Sequence, residues 1–240
     1  MNIDLSKPIY SQVKNLDPQQ YKSVVEKIIL KKKDIYDYNK IRIYDYYIFD
    51  ILSNTNLALC YIFWLGIIGA LCYFSWFPII STSLFTIFNL IKFISGIITW
   101  FNYSHYFHSI IHKKPIEDFS GIWRLWHFNG HGYHHMFPYD YRRIVIHPWI
   151  ASVAILPTYL LFLVFRIINL ISITTESLFI VGLIIGHIYV ETSHYSMHYD
   201  TFLTPYVKKL QYHHMSHHLK VPERKFAYFH PIEDIIRNTN

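Results

Sequence analysis

Leu57–Phe77, LALCYIFWLGIIGALCYFSWF, runs for roughly 21 residues without a charge. At about 1.5 Å rise per residue, such a helix matches the ~30 Å hydrocarbon core of a bilayer. The stretch predicts a spanning helix ended by Pro78. A second apolar run begins near Ile79, carries a lone Lys92 and reaches His105 and His112, so the second helix is expected to outlast the membrane. A third run, Pro148 to Ile168 with Pro157 inside it, and a fourth, Leu178 to Tyr189, flank the polar segment Asn169 to Ser177. The fourth run is short, so either its helix tilts or Ile171 to Thr175 dips into the interface.

Charge supplies the orientation. Of the 22 Lys and Arg residues, nine lie in residues 1–56, five between Lys113 and Arg143, and six from Lys208 onward. The two hairpin tips, Phe77 to Ser83 and Asn169 to Ser177, hold none, so the positive-inside rule puts both termini and the central block in the cytosol. The expected fold is an all-α integral membrane protein, with four transmembrane helices in two hairpins and a cytosolic helical cap. Its divisions are a cytosolic linker with interfacial helices at 1–56, a membrane-embedded domain at 57–230 and a tail at 231–240. Residues 1–56 are too polar and acidic for a cleaved signal peptide. A content of 52% hydrophobic and 16% charged residues excludes a disordered chain, and two cysteines, Cys60 and Cys72 in one apolar stretch, exclude a disulfide framework. The net charge of +6 follows from positive-inside bias and needs no nucleic-acid partner.

The informative excess is histidine: of sixteen, none precedes His105 and fifteen lie between His105 and His218. Four groups stand out: His108-x3-His112, His131-x2-His134-His135, His194-x3-His198 and His214-x2-His217-His218. On a helix, positions i, i+3 and i+4 project from one side, so each group offers two or three imidazoles to one point. The hairpins deliver all four groups to the same membrane face, where helix C-termini favour cations. Imidazole binds zinc or iron as a neutral ligand, and ten imidazoles suit two ions. The first group has a further histidine, His105, one turn earlier, and whether His105 or His108 partners His112 stays open. His127, His187 and His213 are adjacent to the groups and are either spare partners or packing residues; His147 and His230 read as structural or interfacial. Two ions held by neutral rings need an anion nearby, either Glu191 behind the ligands or a hydroxide or oxygen-derived ligand alone, and Asp140 either joins them or is a turn residue paired with Arg142 or Arg143. Aromatic residues around the boxes, Trp123, Trp126, Phe128, Tyr133 and Tyr195, either belong to an interfacial belt and packing or roof a slot beside the metals. There is no G-x-S-x-G elbow, Walker loop or G-x-G-x-x-G to compete with metal chemistry.

At this point the residues resemble the integral-membrane fatty acid hydroxylase and sterol desaturase superfamily, and within it the fatty acid 2-hydroxylases. His131-Gly-Tyr-His134-His135-Met-Phe-Pro138-Tyr-Asp140-Tyr-Arg142-Arg143-Ile-Val is similar to that family's H-G-x-H-H-x-x-P-x-D-x-x-R-L-V string. His194-Tyr-Ser-Met-His198 resembles its H-Y-x-x-H, and the segment from Leu210 to His218 resembles its final box. Asp4-Leu-Ser-Lys-Pro-Ile-Tyr-Ser-Gln-Val13 is similar to the segment that precedes the membrane domain in these enzymes. The first box departs from the family's usual H-x4-H spacing, and no His-Pro-Gly-Gly haem motif of a fused cytochrome b5 domain is present.

The resemblance implies insertion of one oxygen atom from O2 at carbon 2 of a very-long-chain fatty acyl group, free or in a ceramide, by a multi-pass protein of the endoplasmic reticulum membrane. It implies two metal ions on the ten boxed histidines, with electrons from an external cytochrome b5 and its NAD(P)H-dependent reductase. Zinc has no redox chemistry, so iron is expected for catalysis, although an all-imidazole set accepts either. The alternatives are a sterol C4-methyl oxidase or lipid desaturase of the same superfamily, or a histidine-rich metal transporter.

Overall fold

The computed structural model describes residues 2–29, 38–76, 86–113, 121–202 and 204–240; the hairpin tip expected at Phe77 to Ser83 lies outside them. Among the described residues the fold is all-α, with no strand. The short helices α1 (Ile9–Val13), α2 (Pro18–Val25) and α3 (Tyr47–Leu52) precede the long α4 (Leu57–Trp76) and α5 (Ile87–Lys113). Helix α6 (Gly121–His127) runs through a π-helical turn, Phe128–Gly132, into α7 (Tyr133–Met136). A second long pair, α8 (Pro148–Ile167) and α9 (Ile173–Tyr199), is followed by α10 (Pro205–Leu219) and α11 (Ile232–Ile236).

The long helices start and stop where the sequence chemistry says they should. Pro148 and Pro205 occupy first-turn positions, where a missing N–H costs nothing. Ser172 and Thr204 accept backbone N–H groups as N-caps, and Asp200 ends α9 in the left-handed conformation at φ 56°. Both α5 and α9 are 27 residues long, about 40 Å at ~1.5 Å per residue, which exceeds the ~30 Å apolar slab. The short fourth apolar run is therefore the first part of a longer helix, whose end carries His194 and His198 beyond it.

Among the described residues two helices, Pro148–Ile167 and Ile173–Tyr199, are long and apolar enough to cross a membrane, and Leu57–Tyr73 within α4 is a shorter apolar stretch. Their surroundings differ: 61% of the apolar window of α9 is buried, against 11% for α8. Helix α9 is thus the central post, packed chiefly on α5 and α4, and α8 presents Val153, Leu156, Leu160, Leu161 and Val164 outward.

Helices α5 and α9 meet in backbone contact. A Cβ built on Gly96 would fall on the Phe179 carbonyl oxygen, and one built on Gly182 would fall on that of Phe93. One turn on, a Cβ at Gly186 would lie 3.0 Å from Trp100 Cβ and 3.1 Å from the Ile97 carbonyl oxygen. Gly182-x3-Gly186 is the small-residue spacing that lets membrane helices approach closely. Beside this contact, Cys60, Trp64, Trp100, Ile180, Leu183 and Ile184 form an apolar core.

The N-terminal segment is part of the same body. Ile9, Val13, Tyr21, Val24, Ile41 and Ile43 pack on Phe128, Tyr133, Met136 and Phe137, covering the back of the second histidine box. Residues 231–240, set apart as a tail in the sequence, fold back as α11 and bury Asp234 completely.

Gly182→Val places a Cβ and two methyl groups inside the α5–α9 contact. It should lower stability by at least about 1–3 kcal/mol, read as a drop in thermal midpoint of the detergent-purified protein; an unchanged midpoint would mean that the helices do not touch there.

Candidate metal centre

The four boxes converge into two groups of five histidines. One holds His108, His112, His131, His135 and His217; the other holds His134, His194, His198, His214 and His218, and within each group the ligand atoms lie within 4.8 Å of one another. All ten expected histidines are thus brought together, but not box by box. His131 and His135, one helical turn apart, face the first group, whereas His134 faces the second. The final box divides the other way, with His217 in the first group and His214 and His218 in the second. At about 100° per residue, positions i+3 and i+4 diverge by about 100°, so each H-x2-H-H box is a fork straddling both groups.

The Nε2 atoms face inward. In the first group His131 Nε2 lies 2.9 Å from His108 Nε2 and 2.8 Å from His135 Nε2, and the His217–His135 separation is 3.2 Å. In the second, the spacings are 3.1 Å for both His134–His218 and His194–His134, 2.9 Å for His198–His214 and 3.0 Å for His218–His214. Neutral imidazole has one donor and one acceptor nitrogen, so five acceptor nitrogens turned on one another cannot satisfy each other. A cation can satisfy them. With metal–nitrogen bonds of about 2.0–2.1 Å, ligands at right angles stand about 3 Å apart, which is the spacing found.

The outward nitrogens of two first-group rings are fixed by backbone. His108 Nδ1–H donates to the Phe226 carbonyl at 2.8 Å and His217 Nδ1–H donates to that of Arg224 at 2.6 Å, which leaves each Nε2 lone pair free. The Tyr228 ring stacks on His108 at 4.6 Å and meets His194 at 4.9 Å, so one phenol touches both groups. Burial, followed by repulsion from neighbouring imidazoles, holds His131, His135, His214 and His218 well below the ordinary histidine range; the same causes take His134 to about 3, and burial takes His217 to about 4. The rings are therefore neutral and ligand-competent near neutral pH.

The remaining histidines have other work. His105 stands outside both groups and donates to Asp234 at 3.0 Å, and His213 donates to the same carboxylate at 2.8 Å. His127 bonds the Tyr21 hydroxyl at 2.8 Å. His147 caps α8 and His230 accepts the Ile232 N–H at 3.0 Å, while His187 is buried 3.7 Å from Glu191. Glu191 accepts the Ile146 N–H at 2.9 Å, and among the described residues it has no hydrogen bond to a boxed histidine. Asp140, fully buried, accepts from Tyr133 at 2.7 Å, from Arg142 at 2.9 and 3.0 Å, and from Arg143 at 3.1 Å, fixing the turn after box two. The expected aromatic roof lies elsewhere: Phe128 and Tyr133 face the N-terminal core, Trp126 pairs with Trp149, Tyr195 stacks on Tyr199, and Trp123 is exposed. Phe226 and Tyr228 line the histidine rings instead.

Fold and site together define a helical histidine-box protein with two candidate metal positions. No family model matches the chain. It is 25% identical to a dihydroceramide fatty acyl 2-hydroxylase of Arabidopsis thaliana over 61% of its own length and 59% of the relative's. It is 29% identical to a fatty acid 2-hydroxylase of Rattus norvegicus over 56% of the chain and 35% of the relative. It is 28% identical to the ceramide very long chain fatty acid hydroxylase scs7 of Schizosaccharomyces pombe over 57% and 38%. The matches thus span from about a third to three-fifths of these relatives' length. The structure of scs7p with its hydroxylase domain visible superposes with a TM-score of 0.80 at 20% identity, covering 99% of this chain and 85% of that one. The relatives bear out the resemblance to the fatty acid 2-hydroxylases, and the superposition shows the shared fold.

A histidine whose folded value is depressed stays neutral when folded but takes up a proton when unfolded below about pH 6.5. Its stabilisation is therefore complete above that pH and is lost as pH falls toward the depressed values. The thermal midpoint of metal-stripped protein should decline steadily from about pH 7 to pH 5, each such ring contributing up to about 1.4 kcal/mol per pH unit. A flat profile would mean that the rings are not held neutral.

Proposed function

We propose that this chain is a fatty acid 2-hydroxylase that inserts one oxygen atom from O2 at carbon 2 of very-long-chain acyl groups of ceramides. The observation that carries the reading is the pair of five-histidine groups with inward Nε2 spacings of 2.8–3.2 Å, joined to the similarity to acyl 2-hydroxylases. His108, His112, His131, His135 and His217 would hold one ion and His134, His194, His198, His214 and His218 the other. When bound, iron would supply the redox chemistry that reduces O2 and oxidises the C–H bond, which zinc lacks.

The chain's own residues do the rest. The Phe226 and Arg224 carbonyls hold His108 and His217 in the tautomer that presents Nε2. Phe226 and Tyr228 shut water away from the rings, and the buried Glu191 holds the Ile146 amide close to His187. Asp140 and its two arginines keep the box-two fork at a fixed angle.

We read α4, α5, α8 and α9 as four spans in two hairpins, with both termini in the cytosol and the histidine cap at the cytosolic face of the endoplasmic reticulum. The basic segments at both ends and in the centre support that orientation. Two electrons per turnover would come from a separate cytochrome b5 and its NAD(P)H-dependent reductase.

Expression in cells lacking their own sphingolipid 2-hydroxylase should restore 2-hydroxylated ceramide, measured by mass spectrometry. His135→Ala or His218→Ala should abolish the product and lower bound metal. Altered sterols with unchanged hydroxy-acids would replace this reading with a sterol oxidase, and metal movement across liposomes without O2 consumption would replace it with a transporter.

A further inference from the structure

The carboxylate of Asp234 is fully buried and collects five donors from four parts of the chain. Oδ1 accepts His105 Nε2–H at 3.0 Å, the Phe226 N–H at 2.9 Å and the Thr239 hydroxyl at 2.6 Å. Oδ2 accepts His213 Nε2–H at 2.8 Å and the Ala227 N–H at 3.1 Å. His105 stands one turn before His108 on α5, and His213 stands one turn before His217 on α10. The Phe226 and Ala227 amides belong to the strap whose Phe226 and Arg224 carbonyls receive His108 and His217. One anion therefore ties together two ligand-bearing helices and the strap that orients two rings of the first group.

The second group is supported differently. The outward Nδ1 atoms of His134, His214 and His218 have no hydrogen-bond partner among the described residues, and the same holds for His135 in the first group, so the strap carbonyls on His108 and His217 are what distinguish the first site. Its His194 and His198 ride on α9, whose position is set by the glycine contact with α5, while His214 and His218 share α10 with His217 and meet the Asp234 clamp through His213 but not through the 224–227 strap. We propose that Asp234 is a positioning residue for the first ion site, setting the aim of His108 and His217 through His105, His213 and the 224–227 strap, and acting far less on the second site. Burial alone would raise the Asp234 carboxyl, but its hydrogen bonds from His105, His213 and Thr239 hold it well below the usual carboxylate range, in keeping with an anion that is fully solvated by protein donors. Asparagine at this position keeps one acceptor oxygen and turns an NH2 group toward donors, so the clamp cannot close on both histidines.

This inference rests on the two-ion reading, and the experiment separates the two. The full chain is purified in detergent, stripped with chelator and titrated anaerobically with Co2+, whose visible d–d absorption reports occupancy and ligand geometry. Wild type should take two ions. Asp234→Asn is then measured in two backgrounds: His194→Ala, which leaves the first site to be read, and His131→Ala, which leaves the second. The expected result is a 10–100-fold weakening of the ion in the first background, with an altered d–d band, and a change of less than about threefold in the second. Equal weakening in both, or none in either, overturns the proposal. Should Asp234→Asn fail to fold, His105→Gln removes one arm of the clamp and is read in the same backgrounds against the same criteria. Wild-type protein that takes no Co2+ would instead defeat the two-ion reading itself, and the role of Asp234 with it.

Discussion

Ten imidazole nitrogens gathered into two groups, nine of them with a neighbour 2.8–3.2 Å away, are the constraint on which the rest of the molecule depends. Imidazoles cannot hydrogen-bond to one another in fives, and burial denies them both water and protons. The fold therefore carries a concentrated polar cost at its centre that a cation can relieve. The surrounding features read as ways to hold the rings still: backbone carbonyls on His108 and His217, the Asp140 turn behind box two, and the N-terminal helices packed under Phe128 and Phe137.

The scaffold meets that demand with two overlong helices. Because α5 and α9 cross with no side chains between them at Gly96 and Gly182, their histidine ends leave the apolar region at a fixed separation. The first and third boxes are consequently parts of rigid rods, while the second and fourth sit on short helices that need outside support. The C-terminal residues supply one such support through Asp234, and the N-terminal helices supply another.

Much of this was legible in sequence and some was not, for physical reasons. The boxed histidines and the overrun of the second helix announce themselves by spacing, because i, i+4 pairs are a local property of one helix. The division of each H-x2-H-H box between two groups was not legible, since it depends on where the partner helices stand. The choice between His105 and His108 was likewise unreadable until Asp234, 129 residues away from His105, entered the picture. Ring orientation by the Phe226 and Arg224 carbonyls leaves no side-chain signature at all. The glycine spacing 182–186 was visible in the chain, but it gained meaning only with Phe93 and Trp100 against it. Glu191 was expected behind the boxed rings and instead holds the start of the α8 segment through the Ile146 amide.

The π-helical turn at Phe128–Gly132 carries one more residue per turn than the helices on either side of it. Removing that residue would rotate everything after it by about 100°, swinging His134 and His135 off their separate targets together. This stretch can therefore absorb changes of composition at its outward positions far more readily than a change of length. An insertion or deletion of a single codon between Gly121 and Met136 would be more damaging to the centre than most substitutions there.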